Sequence, residues 1–336
     1  MSKNNALATL AYMVIIITGL KLSSGIILPF LMAIFLFVIF YPLVSRLNKF
    51  GVPNAITSLI VFMIIVVNML ILGAFLSNST DEVIQNISMY QEKFYQVTPQ
   101  IISFFENYGI SLEWESIMSF IEPVKVISYG TSFFKGMGNM LISIFLTLIL
   151  VMFLLLESSS IFEKLHYFTK TEEQKEKLQL FIKNINRYFK IKTFTSGLTG
   201  LLVWGLLEWF NLQYALLFGV LAFLLNFIPS IGSFIAAFPA LFVAILQLNI
   251  IDTTLIAIFY IIINNAISNF LEPKIMGNDL GLSTFIVFTS MVVWGWIFGP
   301  IGMFLAVPLT ITIKIASQNS KEWHWIALVL QNRIKS

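Results

Sequence analysis

Residues 253–272 read TTLIAIFYIIINNAISNFLE. A helix that crosses a bilayer needs about 20 mostly apolar residues. This stretch supplies them with one charge, Glu272, at its end. Its surroundings are similar. From Phe194 to Ile313 only Glu208, Asp252, Glu272, Lys274 and Asp279 are charged. Over all 336 residues the apolar fraction is 58% and the charged fraction 11%, against about 25% charged in a soluble domain. So few charges cannot cover a water-facing surface. The composition implies an all-α polytopic membrane protein. The 33 Phe and the long Ile/Leu/Val runs exclude disorder. The absence of Cys excludes a disulfide scaffold and thiol chemistry. A net charge of +3, thinly spread, excludes a nucleic-acid partner.

Around the quoted stretch the apolar runs are Phe194–Leu207, Tyr214–Ile228, Phe234–Leu248, Thr253–Leu271, Phe285–Phe298 and Met303–Ile313. Several are too short to cross alone. Pro229, Gly232, Gly299, Pro300 and Gly302 interrupt them. Broken helices survive at membrane depth only where protein or a watery cavity covers the freed backbone. They point to a transport site, although Pro-Gly pairs also simply end short helices. Upstream, Ala6–Leu20 and Ile26–Ser45 read as a tight membrane hairpin, and Asn54–Leu76 and Asn139–Leu156 as two further spans. About eight transmembrane segments result, with broken or re-entrant hairpins in the C-terminal half.

The chain divides into six segments. N-terminal spans occupy 1–77, an extracytoplasmic insertion 78–138, and a fourth transmembrane helix 139–157. A charged cytoplasmic helix fills 158–193, the transport core 194–318, and a cytoplasmic tail 319–336. Lys and Arg set the orientation. Phe162–Lys192 carries eight of them, while Asn78–Gly138 carries three against seven acidic residues. Both termini are therefore expected in the cytoplasm. The insertion has an apolar stripe from Val83 to Tyr108 at helical spacing. It suits a subunit contact, a lid, or a helix lying on lipid. In the cytoplasmic segment Thr171 and Gln174 match a capping box. Leu178, Phe181, Ile185, Tyr188 and Lys192 share a face.

No enzyme signature is present. His166 and His324 have no ligand-spaced partners, and there is no HExxH, GxSxG or P-loop. No cofactor is expected. Gly295 to Gly299 matches GxxxG only weakly, with bulky Trp around it.

Charged groups at membrane depth are costly and are functional candidates by default. Glu272 is the leading one. Asn265, Ser268, Asn269 and Glu272 lie at i, i+3, i+4 and i+7, which puts them on one helical face. That face should turn from lipid toward a cavity or another helix. Pro273 ends or kinks the helix. A second group is Asn226, Ser230 and Ser233 around Pro229 and Gly232. Oxygens at a helix break suit a small cation. A Na⁺ site at Asn226, Ser230 and Glu272 is expected, with Na⁺ and H⁺ displacing one another. The same oxygens also serve simply to satisfy a broken backbone. Glu208 and Asp252 lie nearer span ends, where charge is cheap.

Three motifs in order carry a family resemblance: IPSIGSFIAAFPAL at Ile228–Leu241, NFLEPKIMGNDLGLS at Asn269–Ser283 and WGWIFGPIGMFLAVPL at Trp294–Leu309. They resemble the AI-2E family of bacterial and archaeal transporters, also called PerM-like permeases. By position the family's Pro-x-x-Gly falls on Pro229 and Gly232. Its Glu-Pro-x-x-x-Gly falls on Glu272, Pro273 and Gly277. Its Gly-Pro-x-Gly and Ala-Val-Pro fall on Gly299, Pro300, Gly302 and Pro308. Two departures are Thr284, where many members have Pro, and Trp294-Gly295-Trp296, where many are small and Gly-rich. Bulky Trp there narrows a groove.

The resemblance implies a secondary transporter of the prokaryotic cytoplasmic membrane, forming homo-oligomers with a pentamer as the expected form. Family members have been linked to autoinducer-2 export and to Na⁺(Li⁺)/H⁺ antiport. The expected ligands are a small polar solute or a monovalent cation with H⁺, and the expected surroundings are membrane lipid. Glu272 is the expected coupling carboxylate. Pro273, Gly277, Gly299, Pro300, Gly302 and Pro308 are expected hinges. The rival readings are a passive channel and a non-transporting scaffold for a cell-envelope partner.

Overall fold

The computed structural model describes residues 3–86, 144–168, 171–229, 231–276, 282–318 and 324–330, with a few isolated positions between 89 and 106. Ser230, Gly277, Asp279 and nearly all of the insertion stripe lie outside the described residues. Among the described residues no strand forms. The protein is an all-α polytopic membrane protein.

The N-terminal helices are α1 (Lys3–Leu22), α2 (Ser24–Lys49) and α3 (Asn54–Gln85). They are followed by α4 (Ile144–Leu156) and α5 (Ser158–Phe168). Next comes α6 (Glu172–Trp209), which begins directly after Thr171, where the capping signature places it. The charged segment is thus two helices, α5 and the start of α6. The second does not stop at residue 193 but continues into the apolar core without a break. No Gly or Pro interrupts residues 172–196, so nothing in the backbone ends the helix where the charges end. The remaining elements are α7 (Ala215–Leu225), α8 (Gly232–Gln247), α9 (Ile250–Asn265), a π-helical turn (Ala266–Leu271), α10 (Glu272–Met276), α11 (Thr284–Gln318) and α12 (His324–Leu330).

Among the described residues, four helical stretches are long and apolar enough to cross a membrane: Ser24–Lys49, Asn54–Ser79, Ile250–Met276 and Phe285–Gln318. The last is not one straight span. Gly299 has φ 68° and ψ −153° and reverses the chain. The Trp294 indole N–H therefore reaches the Thr310 hydroxyl at 3.1 Å, a pair that a straight helix would hold about 24 Å apart. Exposed Ile15, Leu70, Phe234 and Phe285 clothe the helices in apolar surface, which a soluble protein does not tolerate.

The chain forms two compact units. The first comprises Met1–Val66, Ser143–Lys192 and Lys274–Ser336; the second comprises Val67–Ile142 and Thr193–Pro273. In the first, the Phe189 ring lies against Phe35 and Phe304, with centroids 6.2 and 6.1 Å away. Of the face foreseen on the charged segment, Ile185, Tyr188 and Lys192 are buried and Leu178 is half-buried. Helix α4 ends with unpaired carbonyls, as every helix does. Ser58 donates to Leu155 O at 2.8 Å and Asn54 to Leu156 O at 3.0 Å, which satisfies two of them. Ala327 of α12 is fully buried, and α12 packs on α11.

In the second unit, α7, α8 and α9 pack in series. The core includes Val203, Leu207, Phe218, Leu221, Ala236, Ala240, Ile256 and Tyr260. Helices α6 and α7 approach through glycines. A Cβ on Gly219 would lie 2.6 Å from the Trp204 Cβ, and one on Gly200 2.8 Å from Gly219 O. Small residues let membrane helices touch backbone to backbone, where van der Waals contact replaces the missing hydrophobic drive. Gln247 closes the far end. It accepts from the Gln213 N–H and donates to Asn211 O, both at 2.9 Å.

Candidate functional site

Helices α7 and α8 have 11 and 16 residues, roughly 16 and 24 Å of helix at 1.5 Å per residue. Neither spans a hydrocarbon core of about 30 Å. They form a hairpin whose tip is Asn226–Ile231. The Ile228 N–H bonds Leu225 O at 2.8 Å, and the Ile231 N–H bonds Pro229 O at 2.7 Å. Gly232 then passes so close to the preceding helix that an added Cβ would lie 1.7 Å from Leu225 O.

Asn226, at the tip, is buried. Its amide donates to the Ser196 hydroxyl at 3.0 Å. The adjacent Thr195 hydroxyl donates to the Glu272 carboxylate at 3.3 Å. Thr195, Ser196 and Thr199 are all fully buried on α6, and Thr199 donates to Thr195 O at 2.9 Å. Two neighbouring hydroxyls of one helix thus join the two polar groups seen in the sequence. Sequence reasoning passed over them, although Thr193-Phe194-Thr195-Ser196-Gly197-Leu198-Thr199 is a visible hydroxyl-rich opening to an apolar run. Pro229 is half-buried at the tip, and Ser233 is buried just beyond it.

The stripe on the quoted helix differs from its expected form. The buried face of α9 runs through Thr253, Ile256 and Tyr260, and it continues to Ile267 in the π-turn. Asn265 and Asn269 are exposed instead. Asn265 donates back to Ile261 O at 2.9 Å, and Asn269 donates to the Asn265 side chain at 2.6 Å. Ser268 and Glu272 are half-buried. The four residues therefore do not form one inward α-helical stripe. Asn265 already lies off the buried face of α9, and a π-turn re-aims the residues after it. Pro273 has no N–H, and in a regular helix its ring would collide with the Asn269 carbonyl four residues back. The chain widens before it, so the Glu272 N–H bonds Ile267 O, five residues back. Every residue beyond is rotated relative to α9. Single π-turns of this kind are frequent at functional sites.

The inward polar atoms on α9 are ones the spacing did not single out. The Tyr260 hydroxyl and the Asn264 side-chain oxygen are buried with no hydrogen-bond partner among the described residues. An unpaired buried polar group costs about 1–3 kcal/mol. Tyr260→Phe is therefore expected to raise the melting temperature of the purified protein. A lower value would show that the hydroxyl holds a partner.

A second hairpin lies in the first unit. Its arms are the two parts of α11 on either side of Gly299. A Cβ on Gly302 would lie 2.0 Å from Trp294 O. Trp294 stacks on Phe298 with ring centroids 5.7 Å apart and planes 9° apart. With its bond to Thr310, Trp294 is a strut between the arms rather than an obstruction in a groove. Trp296 faces outward beneath the Lys21 ammonium, 3.9 Å from the ring centre. Gly295 packs against the Met303 side chain and Gly299 makes the turn, so the GxxxG pattern serves this hairpin. Pro300 opens the second arm and Pro308 lies within it. Among the described residues no cluster of His, Asp or Glu could hold a multivalent metal.

Short helices broken by Pro and Gly, and an interrupted helix that carries a polar group, recur in secondary transporters. The profile of the AI-2E family transporters matches residues 10–322. The chain belongs to the AI-2E transporter family. It is 34% identical to the AI-2 transport protein TqsA of Escherichia coli K12 over 324 residues, covering 96% of this chain and 94% of TqsA. It is 31% identical to the putative transport protein YhhT of the same strain over 327 residues, covering 96% and 93%. A putative transport protein of Haemophilus influenzae is 32% identical, with 94% of this chain and 93% of that protein covered. This AI-2E chain is a multi-pass membrane transporter. Family membership spans both hairpins and the Glu272 segment.

Proposed function

We propose that this transporter couples movement of its solute to a monovalent cation or proton at Glu272. The observation that carries the reading is the pair of hydrogen bonds on adjacent α6 residues, Thr195 to Glu272 and Ser196 to Asn226. One turn of one helix senses both the carboxylate and the hairpin tip. A proton arriving at Glu272, or a Na⁺ or Li⁺ ion taking its oxygens, changes what Thr195 must satisfy. The α6 turn then carries that change to Asn226. The Pro229 hairpin is the gate in this scheme, and Asn226, Ser230 and the Glu272 carboxylate are the cation ligands. Pro273, Gly299, Pro300, Gly302 and Pro308 set the flexing points of the two hairpins.

The solute we infer is a small polar molecule, and similarity to an AI-2 transport protein supports an AI-2-like compound. The placement we infer is the cytoplasmic membrane with both termini inside, supported by the Lys and Arg bias of residues 162–192.

The test is purified protein in liposomes that hold a pH-sensitive dye. A pH gradient is imposed and Na⁺, Li⁺ or K⁺ is added outside. Cation-selective proton movement is the expected result. No movement with any cation removes cation–proton exchange, and flux that neither saturates nor couples to a second gradient identifies a channel. Thr195→Val keeps the side-chain size and removes the hydroxyl. It is expected to weaken the apparent cation affinity roughly tenfold, the worth of one hydrogen bond to a charged group. Unchanged affinity would place Thr195 outside the coupling path.

A further inference from the structure

The α7–α8 hairpin has a polar base as well as a polar tip. Helix α7 starts from Tyr214 and α8 ends at Gln247. In the loop that leads to this base, Asn211 has φ 52° and Tyr214 has φ 63°. Asn enters the left-handed region with little difficulty, whereas a bulky side chain such as Tyr is found there rarely and under strain. Such a conformation persists only where its surroundings over-determine it.

The phenol supplies what holds it. The Tyr214 hydroxyl accepts from the Asn86 side-chain amide at 2.9 Å and from the Gln213 side-chain amide at 3.2 Å. Its own proton faces Glu82 O at 3.5 Å. Glu82 lies in the last turn of α3 and Asn86 directly follows that helix. Asn86 also donates to Glu82 O at 3.0 Å, which fixes its amide against the helix end. Leu72 and Phe75 of α3 pack on the same core as Tyr214. One side chain therefore ties the first residue before α7 to the end of α3. The strain of one left-handed residue and the net gain from a pair of hydrogen bonds are of similar size. Loss of the bonds is enough to tip that balance.

We infer that Tyr214 is a strained latch at the base of the hairpin, closed by the end of α3, and that its release swings the hairpin tip off α6. The inference rests on the reading of the Pro229 hairpin as the gate. Helix α7 is the lever. It has 11 residues, so each 10° of tilt at Tyr214 moves its far end by about 3 Å. The Asn226–Ser196 bond at that end is 3.0 Å long, and a hydrogen bond is lost beyond about 3.5 Å. Gln247 bonds both the Gln213 N–H and Asn211 O. It ties the strained loop to the end of α8, so the two arms tilt together.

The chain has no Cys, so Phe194→Cys and Phe234→Cys place one pair of spin labels. Both phenylalanines are exposed, the first beside Thr195 on α6 and the second just past Gly232 on α8. Double electron–electron resonance on the labelled full chain in lipid nanodiscs reads the distance from α6 to the hairpin. One dominant distance is expected before any further change. Tyr214→Phe keeps the ring and the strain but removes the hydroxyl. It should raise the share of a longer distance about tenfold, the worth of two neutral hydrogen bonds. Asn86→Ala removes one of those bonds and should raise it about threefold. Tyr214→Gly removes hydroxyl and strain together, because Gly adopts the left-handed region freely. It should keep the single distance. One unchanged distance in both Tyr214→Phe and Asn86→Ala overturns the latch. A longer population in Tyr214→Gly as large as that in Tyr214→Phe overturns it too, since Tyr214 is then an anchor that stores no strain. No ion flux enters the measurement, so loss of cation coupling at Glu272 leaves its outcome unchanged.

Discussion

Glu272→Gln is expected to reduce cation-evoked proton movement to the level of protein-free liposomes while leaving the protein folded. Gln has nearly the shape of Glu and still offers an oxygen to the Thr195 hydroxyl, which stands 3.3 Å from the carboxylate. The α6 contact and the Asn226–Ser196 bond should therefore survive, and the yield and melting temperature should match the unaltered chain. What is lost is the ability to take up and release a proton, or to neutralise a cation. Charged groups at membrane depth cost about 2.5–3.5 kcal/mol on insertion scales, so removal of the charge does not harm insertion. Loss of exchange with normal folding supports Glu272 as the coupling group. Full exchange by a well-folded Glu272→Gln protein sinks that assignment. A fall in both exchange and melting temperature would mean that the carboxylate holds the π-turn and α10 in place.

Gly232→Ala should be the most damaging single methyl group in the second unit. The added carbon would lie 1.7 Å from Leu225 O and 3.1 Å from the Ile228 Cβ. The first obstacle is backbone, which no rotamer change removes. Ordinary overpacking costs about 1–3 kcal/mol, and this collision exceeds it because α7 and α8 must separate. Separation would pull Asn226 from Ser196. The expected outcome is little folded protein, read as membrane yield and as the monodisperse fraction on size exclusion. Gly302→Ala meets Trp294 O at 2.0 Å and should behave the same way in the other hairpin. Gly197→Ala is the control. Its Cβ meets nothing within 4 Å on the same helix that carries Ser196, and Ala for Gly inside a helix gains up to about 1 kcal/mol. Normal yield from Gly232→Ala would show that the hairpin opens without cost.

The two hairpins illustrate what was readable in advance. Pro229 with Gly232, and Gly299 with Pro300 and Gly302, interrupt apolar runs too short to span. Backbone rules alone make each a turn. Glu272 stands out because charge is rare in the core. The hydroxyls that join it to the hairpin did not stand out. Thr195 and Ser196 are near in sequence to nothing they bond, being 77 and 30 residues from their partners. Trp294 looked like bulk in a groove, and only its reach to Thr310 shows it bracing two arms.

Composition and periodicity by themselves determined the class of protein, the helical segments, the broken hairpins and the one carboxylate worth testing. These follow from local chemistry: the length of an apolar run, the missing N–H of proline and the cost of a buried charge. The tertiary structure decided which face of each helix turns inward. In a soluble protein polarity marks the outer face, but lipid is as apolar as a protein core. Asn264 and Asn265 are therefore equivalent in the sequence. The packing of α9 buries the oxygen of Asn264 and leaves Asn265 exposed.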